Sequence, residues 1–188
     1  MKCLVDDINN YSDLDINSFI DHIPYIKRER IKNFNYQTYK QSIVGEILLS
    51  KLLQEQNINY DNIIVKYNEN GKPFISNYPI YYNISHDHDL VVCVISDGMI
   101  GVDIMKMHDT KKSMAKAFCT EEELNYITDK YKFYQIFTLK EAYLKLFGKK
   151  INDIKELNIV SNNQIKLNVI YRTMKHDDYL ISVCYLPK

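Results

Sequence analysis

Tryptophan is absent from this 188-residue sequence, and so is net charge. No apolar run approaches the roughly 20 residues that a membrane-spanning helix requires. With 24 Lys+Arg against 24 Asp+Glu, a broad electrostatic claim on nucleic acid or an anionic membrane has no support, and any anion site must be local. The opening residues, MKCLVDDINNYSDLD, turn acidic where a secretory leader stays apolar. The four cysteines, Cys3, Cys93, Cys119 and Cys184, are scattered without a CxxC pair, so neither a zinc site nor a disulfide framework is indicated. A reducing cytoplasm is the expected setting, with no nucleic-acid or membrane partner. The missing tryptophan, set against 16 tyrosines, reads as AT-rich coding bias and carries no functional conclusion.

What is present suits one domain or two small halves, with 46% hydrophobic and 26% charged residues, the ordinary globular range. QTYKQSIVGEILLSKLLQEQ places Ile43, Val44, Leu48, Leu49, Leu52 and Leu53 on one helical face and precedes the turn-rich YNENGKPFISNYP. DLVVCVIS is the continuous apolar run of a strand buried on both faces, and Asp97 and Gly98 link it to MIGVDI in what reads as a buried β-hairpin. Thr120 with Glu123 three residues on makes a capping box. A helix over 131–147 follows, stopped by Gly148, and then ELNIVS, QIKLNVIYR and YLISVCYL, all strand-like. HDHDLVVCVIS and KHDDYLISVCYL echo one another, each a His/Asp turn leading into an apolar strand with a cysteine. Two halves of similar plan, each a helix against a small antiparallel sheet, would explain the echo.

The helix over 131–147 raises a chemical question. Phe133, Phe137, Leu144 and Phe147 recur at helical spacing, and the same stripe passes through Lys140. An ammonium there must either reach solvent or face an anion. Asp103, between Val102 and Ile104 in an apolar strand, likewise wants a cation or a set of donors. Glu141 and Lys145 stand i, i+4, which alone reads as a solvent-exposed pair. Together with Lys140 and Asp103 they make a plausible site for Mg²⁺ and a phosphate-bearing ligand, with hard oxygens for the ion and lysines for the phosphate. His86 and His88 fall on one side of an extended segment, but HxHxDH would need Asp and His where the chain has Leu90 and Val91, which disfavours zinc.

GVD at Gly101 to Asp103 and FTLKEAYLK at Phe137 to Lys145, in this order and at this separation, resemble the signature pair of the phosphopantetheinyl transferases of the Sfp (surfactin synthesis) type. Upstream, KRERIKNF, KQSIVGEILL, NGKPF and NISH resemble the family's basic segment, first long helix, G-K-P turn and N-x-S-H, so the resemblance covers most of the chain. It implies a pseudo-twofold α+β fold whose N-terminal half, 1–98, contacts the nucleotide and whose C-terminal half, 99–188, carries the metal and catalytic motifs. The reaction implied is Mg²⁺-dependent transfer of the phosphopantetheine arm of coenzyme A to a serine of an acyl or peptidyl carrier protein; a monomer is expected from the internal pseudo-dimer. Asp103 and Glu141 would hold Mg²⁺, and Glu141, directly or through a metal-bound water, would help to deprotonate the serine. Lys145 and His86 would contact the phosphates. Lys27, Arg30, Ser42, Lys72 and Ser85 would clasp the nucleotide and its 3′-phosphate, with Lys140 at the site too.

The chain departs from that pattern at Met105, where many members carry a second acid. A soft thioether is a poor Mg²⁺ ligand, so weakened metal affinity is expected. Two other readings compete with the active transferase. One is an impaired relative that binds coenzyme A or a carrier without turnover. The other is a small metal-dependent hydrolase using His86, His88 and Asp103. Carrier docking is expected near Lys106, Lys111 and Lys112.

Overall fold

The computed structural model describes residues 1–109, 112–149 and 154–188, and leaves the side chains of 112 and 113 out as well. Its elements run in two passes of the same order. The first pass has β1 (Lys2–Asp7), two short helices α1 (Asp13–Phe19) and α2 (Tyr25–Ile31), and the long α3 (Tyr36–Gln54). A small hairpin of β2 (Val65–Tyr67) and β3 (Pro73–Ile75) follows, then β4 (Tyr81–Asp87) and β5 (Leu90–Ser96). The second pass repeats this with β6 (Met99–Lys106), short α4 (Lys112–Phe118) and α5 (Glu121–Tyr126), and the long α6 (Lys130–Phe147). A small hairpin of β7 (Val160–Ser161) and β8 (Gln164–Ile165), then β9 (Ile170–His176) and β10 (Tyr179–Leu186), complete it. The sheets are antiparallel and equivalent in strand order, β1-β5-β4 and β6-β10-β9. The architecture is the expected α+β pair of similar halves.

Each long helix starts where a side chain accepts a free backbone N–H. Asn35 accepts from Thr38 N at 3.0 Å for α3, and Asp129 accepts from Lys132 N at 2.9 Å for α6. The Thr120/Glu123 capping box of α5 is present, and α6 stops at Gly148 with φ +64°, a left-handed turn that costs glycine little.

The expected β5–β6 hairpin is not formed. Strands β5 and β6 lie in different sheets, and Asp97 and Gly98 turn the chain from one to the other. Leu90, Val92 and Val94 pack with Ile100, Val102 and Ile104 between the sheets, while Val91, Cys93 and Ile95 face α3. Burial of both faces made β5 read as a hairpin partner, but the cause is face-to-face packing rather than hydrogen bonding. At the corner, a Cβ on Gly98 would lie 2.0 Å from the Leu186 carbonyl oxygen, so the end of β10 admits only glycine there.

The internal echo is real in its turns and false in its cysteines. Asp7 pairs with Leu90 and Lys106 with Tyr179, so Leu4, opposite Cys93, is the counterpart of Asp103, opposite Ser182. The second half thus holds a carboxylate where the first holds an apolar residue, on the face turned toward the long helix.

The ammonium in the apolar stripe of α6 has its anion inside the second half. Lys140 is fully buried and donates to Glu123 Oε2 at 2.7 Å and to the Phe118 carbonyl at 2.8 Å. Glu123, equally buried, also accepts from the backbone N–H of Thr120 and of Ile159. One carboxylate therefore ties α5, α6 and the approach to β7 together. Removing one partner of such a pair leaves a buried charge uncompensated and costs about 3–5 kcal/mol. Lys140→Met is expected to lose stability on that scale in urea denaturation, and adding Glu123→Gln to it to recover most of the loss. A double variant no more stable than Lys140→Met would refute the ion-pair account.

Candidate active site

Strand β6 delivers one part of the site and helix α6 the other. They approach closely because Gly101 has no side chain; a Cβ there would lie 2.1 Å from the Ala142 carbonyl oxygen and 2.4 Å from Leu146 N. Alternation along β6 sends Ile100, Val102 and Ile104 into the intersheet core and turns Gly101 and Asp103 toward α6. Asp103, 6% exposed, meets Lys145 Nζ at 2.6 Å, and its Oδ1 also accepts from Ser85 Oγ at 3.0 Å. Lys145 donates to Ser85 Oγ at 2.9 Å, so three predicted residues from three elements close a triangle. Lys145 thus reaches Asp103 rather than Glu141, its neighbour one turn back.

Glu141 is left with a different environment. It is buried, and its Oε1 has no hydrogen-bond partner. Burial, reinforced by the nearby Asp103 charge and only partly offset by Lys145, raises its carboxyl to about 7. A buried acceptor without a donor is costly to keep, and such an arrangement suits a site that waits for a cation.

These groups line a cleft of about 340 Å³ with Ser85, His86 and Met105. It adjoins a second cleft, of about 380 Å³, through the shared Ile84 and His86. The second is lined by Lys27, Arg30, Ser42, Tyr67 and Tyr82. Arg30 lies 3.7 Å above the Tyr67 ring, a cation–π contact that leaves most of its donors free. Lys27 is buried and bonds both oxygens of Glu46, at 2.6 and 2.7 Å, and Ser42 Oγ donates to the Thr38 carbonyl. His86 sits at the meeting of the clefts, where desolvation by their walls and then the Lys145 ammonium lower its pKa from 6.5.

Two predicted site residues are used differently. Lys140 is absent from both clefts, since its ammonium belongs to Glu123, and its expected place at the site is corrected. Lys72 lines a smaller neighbouring pocket with Lys145 and donates to the carbonyls of Ile100 and Leu146. His88 Nδ1 lies 3.1 Å from Asp87 Oδ1, and its ring packs on His108 with centroids 5.3 Å apart. Among the described residues no group of three or more His, Cys, Asp or Glu side chains is arranged to hold a metal, which leaves the hydrolase reading without a ligand set. Lys106 is engaged with Asp178 at 3.3 Å, while Lys111 and the side chain of Lys112 fall outside the described residues.

The sequence reading missed the seam beside the site. Asn83 Oδ1 accepts from Val102 N at 2.8 Å and Asp87 Oδ2 from Lys106 N at 2.7 Å. With Ser85 between them, alternate polar side chains of β4 take up the groups that β6 turns toward it. Their spacing by two in NISHD was the available signal.

Comparison with known proteins gives two family matches. Residues 99–187 match the family described as the 4′-phosphopantetheinyl transferase superfamily, and residues 11–97 match the 4′-phosphopantetheinyl transferase N-terminal family. The chain belongs to the 4′-phosphopantetheinyl transferase superfamily. It is 32% identical over 158 residues to 4′-phosphopantetheinyl transferase gsp of Aneurinibacillus migulanus, covering 80% of this chain and 66% of that relative. It is 28% identical over 143 residues to 4′-phosphopantetheinyl transferase Sfp of Bacillus subtilis strain 168, covering 71% of this chain and 64% of that one. The matches therefore span slightly less than two thirds of these relatives. Among the described residues no helix is long and apolar enough to cross a membrane.

The raised Glu141 has a consequence for stability in the absence of metal. A carboxyl moved from 4.5 to about 7 on folding keeps its proton more tightly in the folded chain, so between those values the folded state binds more protons and rising pH costs stability. In EDTA, Glu141→Gln is expected to match the wild type below pH 4.5 and to exceed it increasingly up to about pH 7. Parallel urea-stability curves for the two proteins across that range would contradict the assignment.

Proposed function

We propose that this chain transfers the phosphopantetheine arm of coenzyme A to a serine hydroxyl of an apo acyl or peptidyl carrier protein, releasing adenosine bisphosphate. The observation that carries the reading is the buried, unpartnered Glu141 Oε1 beside the Asp103–Lys145 pair, in a cleft that continues into a cationic, aromatic-walled pocket. Asp103 and Glu141 would hold Mg²⁺. Two hard carboxylates suit an ion that usually keeps several waters, and Met105 adds no hard donor to them. When bound, the ion supplies neutralisation of charge on the pyrophosphate.

The remaining roles fall to this chain's own side chains. Lys145 and His86 would bind phosphate oxygens where the two clefts meet, with Ser85 alongside. Arg30 on Tyr67, with Lys27 and Ser42, would hold the nucleotide end and its 3′-phosphate, anchoring coenzyme A so that its pyrophosphate lies against Asp103 and Glu141. The serine oxygen forms its bond to phosphorus as the pyrophosphate bridge breaks, and the serine proton passes to a base. Glu141, directly or through a water, is the candidate for that proton. The leaving bisphosphate takes the bridging oxygen and its charge, which Lys145 is placed to meet. A single copy contains every group named, consistent with a monomer.

A second reading, a relative that binds coenzyme A or carrier without turnover, is favoured only by Met105. Intact-mass spectrometry of an apo carrier protein incubated with the chain, coenzyme A and Mg²⁺ separates the two. A gain of one phosphopantetheine arm, absent with Asp103→Ala, is expected; coenzyme A binding without any gain across several carriers would support the impaired relative. Met105→Glu is expected to lower the Mg²⁺ concentration needed for half-maximal rate, and an unchanged requirement would count against a two-carboxylate metal site.

A further inference from the structure

Lys72 belongs to the first half of the chain, yet its ammonium is spent on the second. The residue follows the turn of the β2–β3 hairpin, where Asn68 Oδ1 accepts from the backbone N–H of both Asn70 and Lys72. From there Nζ donates to the Ile100 carbonyl at 2.9 Å and to the Leu146 carbonyl at 3.0 Å. Ile100 lies on β6 just ahead of Asp103, and Leu146 follows Lys145 in the last turn of α6. These are the two elements that carry Asp103, Glu141 and Lys145. They touch at Gly101, where no side chain intervenes and strand and helix meet backbone to backbone, so a small shift there is passed directly to the groups on either side. The hairpin also abuts the end of α6, since a Cβ on Gly148 would meet Asn68 Nδ2 at 2.5 Å and Lys72 Cβ at 3.5 Å.

We propose that Lys72 is a positioning residue, a strut from the first half that fixes β6 against the C-terminal end of α6 and so sets Asp103 relative to Glu141 and Lys145, rather than a ligand of a coenzyme A phosphate. Two of its three N–H groups are already given to carbonyls, and the Leu146 carbonyl stands at the negative end of the α6 dipole, a natural seat for an ammonium. Burial lowers Lys72 to about 8, and the partners its ammonium does have are the two neutral carbonyls. The assignment of what is being positioned rests on the cleft reading given above.

The test compares Lys72→Met with wild type in three measurements: backbone hydrogen exchange without ligand, Mn²⁺ affinity by electron paramagnetic resonance, and calorimetric binding of coenzyme A and of 3′-dephospho-coenzyme A. A strut predicts exchange faster by roughly tenfold or more, the scale of one charge-assisted hydrogen bond, confined to β6 and the last turn of α6. It predicts Mn²⁺ affinity weakened to a similar degree and the preference for coenzyme A over its dephospho form unchanged. Loss of that preference with Mn²⁺ affinity intact would make Lys72 a phosphate ligand and overturn the proposal. A lowered melting temperature with local exchange and Mn²⁺ affinity unchanged would reduce it to general stability and also overturn it. Lys72→Arg, whose planar fork can span two carbonyls, is expected to restore exchange protection and Mn²⁺ affinity in part. Should Lys72→Met not fold, Lys72→Gln against Lys72→Arg is read on the same measurements. If wild type binds neither Mn²⁺ nor coenzyme A, the cleft reading fails, while the exchange measurement still decides the strut.

Discussion

Everything at the candidate site depends on how β6 is bounded on the side where no strand pairs with it. One edge of β6 is satisfied by β10, and the other faces β4 across the junction of the halves without a ladder between them. Buried backbone donors left there would cost as much as lost hydrogen bonds. Side chains of β4 replace the ladder, Asn83 for Val102 and Asp87 for Lys106. Between them Ser85 reaches Asp103, so the contact that seals the seam is continuous with the contact that orients the carboxylate. Beside the apolar core that joins the two sheets, the seam between the halves is closed by residues that also line the clefts, which puts the candidate site at the junction.

Helix α6 shows how one element serves stability and chemistry at once. Lys140 and Lys145 are a little more than one turn apart and point to different surroundings. Lys140 is sealed from solvent against Glu123, whose remaining oxygen capacity is taken by backbone donors, so that cluster is complete and has nothing left for a ligand. Lys145 is partly exposed, with its ammonium between Asp103 and Ser85 at the wall of an open cleft. Glu141, between them in sequence, is buried like Lys140 but unpaired. A complete ion pair holds the helix in place, and an incomplete one beside it is the feature that calls for a partner from outside.

Much of the plan was legible in the sequence because its signals are local. The α3 stripe from Ile43 to Leu53, the Thr120/Glu123 box and Gly148 after α6 depend on spacing within a few residues, and helix geometry converts such spacing directly into structure. The oddity of Asp103 in an apolar strand and of Lys140 in an apolar stripe was legible too, as a need for opposite charge. The partner was not. Nothing in a linear pattern distinguishes Glu123, a capping residue, from a ligand in the cleft as the anion that Lys140 faces. The β5–β6 linkage failed for a similar reason, since a run buried on both faces looks the same whether its neighbour is hydrogen-bonded beside it or packed in front of it.

The sequence by itself determined the repeating order of elements, the identity of the family through GVD and FTLKEAYLK, and the residue types available for chemistry, because each of these is carried by composition and short-range spacing. Only the tertiary structure decided which charges meet. Asp103 with Lys145 and Ser85, Lys27 with Glu46, Lys140 with Glu123 and Lys72 with two carbonyls all join residues far apart in the chain. A buried charge takes whichever partner the packing brings within about 3 Å, and that choice is made by the docking of two sheets and two long helices rather than by any local pattern.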